Sequence, residues 1–382
     1  MIQTADRLDK ITEYYFSRKL KEVRALAAAG KPIINMGIGS PDLPPPPAVV
    51  DALTQGMLHP AAHQYQSYKG LPQLREAIAN FYKSQYNASV DPETEILPLM
   101  GSKEGIMHIS MAFLNAGDEV LIPNPGYPTY TSVTHLMQAK PIYYDLSLKH
   151  GWLPDLEQLR KQDLTKVKLM WVNYPHMPTG ATATPQDFAA LIAFAKKYDI
   201  LIVNDNPYSF ILNDKPLSIL SVPGAKEVAI ELNSLSKSFN MSGWRVGLAV
   251  GNEEYINEIL KVKSNMDSGM FYGIQQGAIK VLEQSGNWFQ ELNAVYKKRR
   301  DLVWKLAEKL NCSYDKNATG MFVWAKLPAG AKDAETYIDE ILNEKSVFIT
   351  PGTIFGSQGE GYIRFSLCVT EAQLEEALSR FD

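Results

Sequence analysis

Cysteine is nearly absent: Cys312 and Cys368 are the only two in 382 residues. That is too few for a disulfide framework or for a cysteine-based zinc or iron–sulfur site, and no metal site is expected. A reducing, cytoplasmic setting fits this usage. An excess of either charge is also missing, since 38 Lys and Arg stand against 42 Asp and Glu for a net charge of −4. Without a positive field to hold a nucleic-acid backbone, DNA and RNA are set aside as partners. No stretch of about 18 uninterrupted apolar residues occurs, so no membrane span is expected. The opening MIQTADRLDK mixes charges where a signal peptide needs an apolar run. Internal repeats and low-complexity tracts are likewise missing.

What is present is an ordinary globular balance, 45% apolar and 21% charged, over a length that suggests two to three domains and a cleft between them. From Ala5 to Ala29 the residues Leu8, Ile11, Tyr15, Leu20, Val23 and Leu26 recur at helical spacing, with Gly30 as C-cap. Gly37 to Pro47 is dense in proline and carries two glycines, which predicts an ordered loop without a ladder. Between about Ala48 and Gly251 short apolar runs at 119–123, 140–146, 168–173, 200–204, 228–232 and 246–250 alternate with helical patterns. Such alternation indicates a wound, mostly parallel α/β sheet. One covering helix is legible in detail, with Thr184 as N-cap, Pro185 in the first turn, and Phe188, Leu191, Ile192 and Ala195 on its apolar face. From Glu253 to about Leu310 the pattern is helical. Strands at 321–327, 347–350 and 362–367 then flank a helix near 332–344, which reads as a smaller α+β unit. The division expected is a large α/β domain over 45–285 and a small α+β domain formed by 1–44 with 286–382. The basic run Lys297 to Arg300 reads as a solvated helix face.

Chemistry concentrates in the loop from Ser234 to Gly247, between two predicted strands. Lys237 there has apolar and hydroxyl neighbours and a cation, Arg245, nearby. Desolvation and a neighbouring positive charge both favour a neutral amine able to form a Schiff base, and an ordinary solvated loop lysine is the competing reading. Gly101, Ser102 and Lys103 stand between the ILPLM segment and a helix expected from near Glu104. Free N–H groups, a hydroxyl and an ammonium at a helix start suit a phosphate. Asp205 closes a predicted buried strand, where a carboxylate needs a partner or serves as an N-cap. Arg364, between Ile363 and Phe365 in a short strand, should project opposite to them, with a fork suited to a carboxylate or a structural ion pair.

The pattern SxSKxxxxxGxRxG, spelled by Ser234, Ser236, Lys237, Gly243, Arg245 and Gly247, resembles the cofactor-lysine motif of class I/II aminotransferases. Asp205-Asn206-Pro207-Tyr208, Gly101 to Gly105, Pro125-Gly126-Tyr127-Pro128, Tyr65 and Arg364 fall in that family's order, so the likeness covers nearly the whole chain. It implies the fold-type-I architecture: a large domain with a mostly parallel seven-stranded sheet plus a smaller α+β domain. It also implies pyridoxal 5'-phosphate (PLP) as cofactor, with Lys237, Asp205 and Tyr208 as the catalytic residues. Lys237 would carry the cofactor as a Schiff base, Asp205 would pair with the ring nitrogen, and Tyr208 would donate to the ring oxygen. Gly101, Ser102, Lys103, Ser234, Ser236 and Arg245 would hold the phosphate, and Tyr127 would stack on the ring. Asn173 would also contact the cofactor. Gly37, Ile38 and Arg364 would meet the substrate. Tyr65 would reach the neighbouring subunit's phosphate, which implies a homodimer with shared sites.

One departure matters. The family usually reads NPxNPTG, whereas this chain reads Asn173-Tyr174-Pro175-His176-Met177-Pro178-Thr179-Gly180. A thioether cannot donate the hydrogen bond that the second asparagine gives the ring oxygen. Tyr208 alone, or Asn173 or His176 as substitutes, would then supply it. The resemblance implies transfer of an amino group between an amino acid and a 2-oxo acid. The segments INMGIGSPDLPPP, LPLMGSKEGIMHIS, LNSLSKSFNMSGWRVG and KVKSNMDSGMF look most like the LL-diaminopimelate aminotransferase branch. Alanine-, aspartate- or methionine-type aminotransferases are the alternative, and a C–S lyase on the same scaffold is another. A regulator built on this fold would carry a DNA-binding domain ahead of the first loop, and a single predicted helix before Gly37 does not make one.

Overall fold

The computed structural model describes residues 2–9, 11, 15–283 and 286–382. The apolar runs form strands β1 (Ile96–Leu99), β2 (Glu119–Asn124), β3 (Lys140–Asp145), β4 (Val167–Val172), β5 (Leu201–Asp205), β6 (Ala229–Ser234) and β7 (Gly247–Val250). They make one seven-stranded sheet in the order β1-β7-β6-β5-β4-β2-β3. Only β7 runs against its neighbours, while the β2–β3, β2–β4, β4–β5 and β5–β6 pairings are parallel. Strands β5 and β6 are buried along their whole length, because helices cover both faces of a parallel sheet. The expected fold class is what forms.

The helices that matter for the site are α1 (Tyr15–Ala28), α2 (Pro72–Tyr86), α3 (Ser102–Phe113), α4 (Thr129–Leu136), α5 (Pro185–Tyr198) and α6 (Trp288–Lys309). Helix α5 starts as its sequence indicates. Thr184 accepts the Asp187 N–H at 3.2 Å, and the Asp187 carboxylate accepts the Thr184 N–H at 2.8 Å, closing a capping box around Pro185. Its buried face holds Phe188, Leu191, Ile192 and Ala195, joined by Phe194. On one side of the sheet α3 and α4 pack Ile106, Ile109, Tyr130 and Val133 against Trp171, Val203 and Leu232. On the other side α2 and α5 cover Met170, Val172 and Ile202, and this core continues without a break into the C-terminal unit.

That unit is an antiparallel sheet of β8 (Ser313–Tyr314), β9 (Phe322–Lys326), β10 (Thr350–Pro351) and β11 (Tyr362–Ser366), ordered β10-β11-β9-β8. The strand expected over 347–350 is divided between two sheets. Val347–Phe348 pairs in parallel with Ile34–Asn35, whereas Thr350 pairs with Arg364 on β11. The split arises because the Met36 N–H takes the Phe348 carbonyl at 2.8 Å, one residue before the chain turns to the other ladder.

Three expectations need correction or restriction. Among the described residues the N-terminal helix spans Tyr15–Ala28, and Asp6–Leu8 form a single 3₁₀ turn instead of its expected first turns. Leu8 is largely exposed and Ile11 lies against the cleft described below, so these two residues find no helical stripe to join. Lys10 and Thr12 to Tyr14 of that expected helix, and the boundary at Ser285, lie outside the described residues. The basic run Lys297 to Arg300 is only half a solvated face. Lys297 and Lys298 are exposed, but Arg299 is buried. Its guanidinium grips Asp42 of the proline-rich loop at 2.7 and 2.9 Å, donates to the Leu367 carbonyl at 3.1 Å, and meets Glu371 at 3.3 Å. No helix among the described residues is long and apolar enough to cross a membrane.

A buried guanidinium stripped of its main carboxylate is costly, whereas an exposed pair contributes little. Asp42→Ala should therefore lower stability by roughly 2–3 kcal/mol in urea unfolding. Lys297→Ala, which breaks the exposed pair with Asp301, should cost less than about 0.5 kcal/mol. Equal losses would remove Arg299–Asp42 from the fold's main ties.

Candidate active site

Because strands β1, β2, β4, β5 and β6 are parallel, their carboxyl ends share one edge of the sheet, and the chain passes from β1 to β2 across it. A crevice opens where such an order jumps. Here it is a cleft of about 720 Å³, roofed by the C-terminal sheet.

One end is built for an anion. After β1, Gly101 turns at φ +95°, and α3 begins at Ser102, two residues ahead of the helix start expected near Glu104. The bare Gly101 is needed, since a Cβ there would lie 2.1 Å from Arg245 Nη2. A Cβ on Gly247 would lie 2.4 Å from the Ser102 nitrogen, so this glycine lets β7 press against the helix start. Ser234 ends β6 and caps the single turn Leu235–Ser238 by accepting the Ser236 N–H at 3.1 Å. Arg245 donates to the Ser242 carbonyl at 2.7 Å. Ser102, Lys103, Ser234, Ser236 and Arg245 all line the cleft, which combines a helix N-terminus, hydroxyls and two cations.

In the middle stand a carboxylate and an amine. Asp205, the last residue of β5, is buried; its Oδ2 accepts the Tyr130 hydroxyl at 2.8 Å, and its Oδ1 has no partner among the described residues. Burial pushes its carboxyl up to about 6, against the pull of the Tyr130 bond. Tyr130 is fixed by stacking on Trp171, centroids 4.7 Å apart, and Tyr127 meets it edge-on at 5.6 Å. Lys237, on the turn after β6, donates to the Gly39 carbonyl at 2.5 Å. Burial holds its ammonium below the ordinary range; Arg364 and Arg245 act the same way and Cys368 opposes them. Tyr208 also lines the cleft, and burial raises its phenol well above normal.

At the far end Arg364 projects from β11 into the cleft while its neighbours Ile363 and Phe365 enter the core. Its guanidinium lies between the rings of Phe322 and Phe355, 4.0 and 4.7 Å from their centroids, and donates to the Gly37 carbonyl at 2.9 Å. Nη1 lies 3.4 Å from the Met177 sulfur. Asn173 has its amide held on both sides, with Oδ1 accepting the Met177 N–H at 2.8 Å and Nδ2 donating to the Asp205 carbonyl. His176 is buried against Thr179, Nδ1 to Oγ1 2.8 Å, and is not part of the lining.

The fold thus assembles Ser102, Lys103, Tyr127, Asn173, Asp205, Tyr208, Ser234, Ser236, Lys237, Arg245 and Arg364 in one cleft. Gly101 lies directly behind it. Gly37 supports Arg364 from behind, and Gly39, not Gly37 or Ile38, reaches the cavity. Tyr65 is 90% exposed and outside the cleft of its own chain. Sequence reasoning missed Tyr130, Phe322, Phe355 and Ile11. For Tyr130 the signal was its place three residues after Tyr127, in the first turn of α4; the two phenylalanines carry none, since only β9–β11 pairing and the turn after β10 bring them to Arg364. Elsewhere Glu104, His108 and Asp267 bring ligand atoms within 4.8 Å of one another, but the cation seated on Asp267 is the Lys263 ammonium, at 2.7 and 2.8 Å.

A mostly parallel sheet with a buried lysine, a carboxylate and an anion cradle at its carboxyl edge defines the fold-type-I class of group-transfer enzymes. The profile of aminotransferase class I and II matches residues 31–381. The LL-diaminopimelate aminotransferase of Maridesulfovibrio salexigens is 42% identical over 379 residues, 98% of this chain and 97% of its own. That of Aquifex aeolicus is 38% identical over 382 residues, 100% and 98% of the two chains. Among solved structures, substrate-bound BacF from Bacillus subtilis superposes with a TM-score of 0.94 at 38% identity, covering 100% of this chain and 97% of that one. An aspartate aminotransferase variant of Thermus thermophilus gives 0.92 at 26% identity, covering 100% and 99%. The chain belongs to the class I and II aminotransferase family and is an aminotransferase.

Asp205 gives a pH signature. Its folded-state value, about 6, exceeds the ordinary 3.8. Its contribution to stability is therefore full below about pH 4 and lost as pH rises through 6, on the order of 3 kcal/mol. In the cofactor-free protein Asp205→Asn should flatten the dependence of the urea midpoint between pH 4 and pH 7. Unchanged slopes would show that Asp205 is ionised throughout.

Proposed function

We propose that the cleft holds pyridoxal 5'-phosphate and that the enzyme moves an amino group between LL-diaminopimelate and 2-oxoglutarate, working as a homodimer with shared active sites. The observation that carries the cofactor is the buried, half-satisfied carboxylate of Asp205 facing the same cavity as Lys237. A protonated ring nitrogen is the donor its free Oδ1 lacks. The donor set at the other end, Ser102, Lys103, Ser234, Ser236 and Arg245 around Gly101, suits a phosphate dianion. Tyr127 would lie on the ring, Tyr208 would serve the ring oxygen, and Asn173 would stand beside it. Tyr65 would arrive from the partner subunit. When bound, the cofactor supplies an electron sink that makes the amino acid's Cα–H acidic.

The chain's own residues do the rest. The Lys237 amine, whose ammonium burial holds below its ordinary range, would serve as the base for the substrate's Cα proton and as the acid that gives it back. Arg364, braced by two rings and the Gly37 carbonyl, fixes the α-carboxylate, with Gly37 and Ile38 forming the loop beneath it. Asp205 keeps positive charge on the ring side.

The relatives' activity supports LL-diaminopimelate as donor. A second reading, a donor with an apolar side chain, draws on Ile11, Met107, Val133, Leu136 and Ile354 among the lining residues without a role above, beside the polar Thr129, Ser132 and Ser242. The test is the absorbance spectrum of the purified protein with LL-diaminopimelate, alanine, aspartate, glutamate and methionine in turn. Conversion of the cofactor band by LL-diaminopimelate upholds the first reading, and conversion by methionine alone the second. No band after added PLP sinks both. Lys237→Ala should lower turnover by roughly 10⁴-fold while leaving the fold intact.

Asn173 gives its Oδ1 to the Met177 N–H and one amide N–H to the Asp205 carbonyl, and His176 turns to Thr179 outside the lining; in this reading Tyr208 is the main donor to the ring oxygen, with the second Asn173 N–H as the other candidate. An asparagine at 177 would add a second donor and favour the deprotonated form of the bound chromophore. Met177→Asn should thus lower the pH midpoint of the visible band by about one unit, the size of one hydrogen bond to a charged group. Identical midpoints would show that the 177 side chain does not reach the ring oxygen.

A further inference from the structure

Behind the cleft, on the opposite face of the sheet from Asp205, lies a polar network that the chemistry above does not use. Glu231 is fully buried in the middle of β6 and stands directly beside Asn204 of β5 in the ladder. Its Oε2 accepts Asn204 Nδ2 and the Ile219 N–H, each at 3.1 Å, and its Oε1 accepts the Tyr82 hydroxyl from α2 at 3.0 Å. With its Nδ2 drawn to Glu231, the Asn204 carboxamide can present only its oxygen to the other side, where it accepts the Tyr174 N–H at 3.1 Å. Tyr174 lies between Asn173 and the Pro175–Pro178 segment that carries Met177 to the guanidinium of Arg364. Asn204 is in turn the residue before Asp205. The same network continues through Asn233, which donates to the Tyr86 hydroxyl at 3.2 Å and accepts the Ser234 N–H at 2.8 Å.

We infer that Glu231 is a positioning residue for the active site: through Asn204 it sets the Tyr174 amide, and with it the loop on which Asn173 and Met177 face Asp205 and Arg364. An amide side chain has two ends of similar shape and opposite polarity, so nothing in packing alone decides which end faces Tyr174. A buried acceptor on the far side does decide it. If that acceptor is removed, Asn204 either leaves its Nδ2 orphaned or turns over and sets a donor against the Tyr174 N–H; each outcome forfeits a buried hydrogen bond. Burial pushes Glu231 up to about 7, with the bonds from Asn204 and Ser218 opposing. A neutral carboxamide is therefore a close mimic of its state at mildly acidic pH.

The test compares Glu231→Gln, Glu231→Met, Asn204→Ala and the double variant Glu231→Met/Asn204→Ala, using hydrogen exchange of a peptide spanning residues 172–180 together with kcat, KM and cofactor dissociation. In Glu231→Gln one oxygen still accepts from Asn204 and Ile219 while the new amide faces Tyr82, so exchange and kcat should stay within about twofold of wild type. Glu231→Met and Asn204→Ala should each speed exchange at Tyr174 and cut kcat about tenfold, the effect of one buried hydrogen bond left unmade. The bound cofactor should leave faster in both, and the double variant should be no worse than either single one. Wild-type exchange and kcat in Asn204→Ala, or losses that multiply in the double variant, would overturn the inference. Should Glu231→Met not fold, Asn204→Ala and the rescue by glutamine decide it. The kinetic arm rests on the PLP reading, whereas the exchange arm does not, so a wild type that binds no PLP would sink that reading and leave this one to be judged by exchange.

Discussion

A carboxylate that has been carried out of water and only half satisfied is the constraint on which this molecule turns. Asp205 sits at the end of a fully buried strand, takes one hydrogen bond from Tyr130, and leaves an oxygen facing the cleft. Such a group costs several kcal/mol unless something completes it, and evolution does not place one there for the sake of packing. The parallel sheet creates the position, because strands running the same way deliver their last residues to one edge. Tyr130 holds the acid in place through its stack on Trp171, and the helix that presents Tyr130 also supplies the wall of the cavity.

Around that acid the sheet and the C-terminal unit divide the labour. The sheet edge provides the anion cradle, the lysine and the carboxylate, at strand ends or on the turns that follow them, and so fixed by the ladder. The C-terminal unit contributes Arg364 with the aromatic rings of Phe322 and Phe355 on either side of it. The proline-rich loop from Gly37 to Pro47 joins the two. Its Gly37 and Gly39 carbonyls receive Arg364 and Lys237, and its Asp42 anchors Arg299 of α6. Prolines suit this task, since a loop without a ladder must be stiff to hold two side chains by its backbone.

Much of this was legible from residue order. Periodicity located the strands of the large sheet and the capped helix over α5, because both signals are local. The cluster of cleft residues was legible for a different reason: apart from Arg364, which sits within β11, most lie at the end of a predicted strand or just after it, where parallel topology gathers such ends. What escaped were features that depend on which distant segments touch. The division of 347–350 between two ladders, the burial of Arg299 within a run of charges, and the contact between Met177 and Arg364 are of that kind. A run of basic residues on a helix looks the same in sequence whether one of its members finds an aspartate 257 positions away or finds water.

The sequence by itself determined the alternation of strands and helices, the class of chemistry, and the residues that gather at the sheet edge, since these follow from local patterns and from motifs in a set order. Only the tertiary structure decided the environment of each group. It showed Asp205 with one oxygen that finds no partner among the described residues, Lys237 desolvated near two guanidiniums, and Asn173 tied to the backbone through its oxygen and one amide N–H. The reason is that solvation, hydrogen-bond partnership and charge proximity are properties of a group's neighbours in space, and most of those neighbours lie far along the chain.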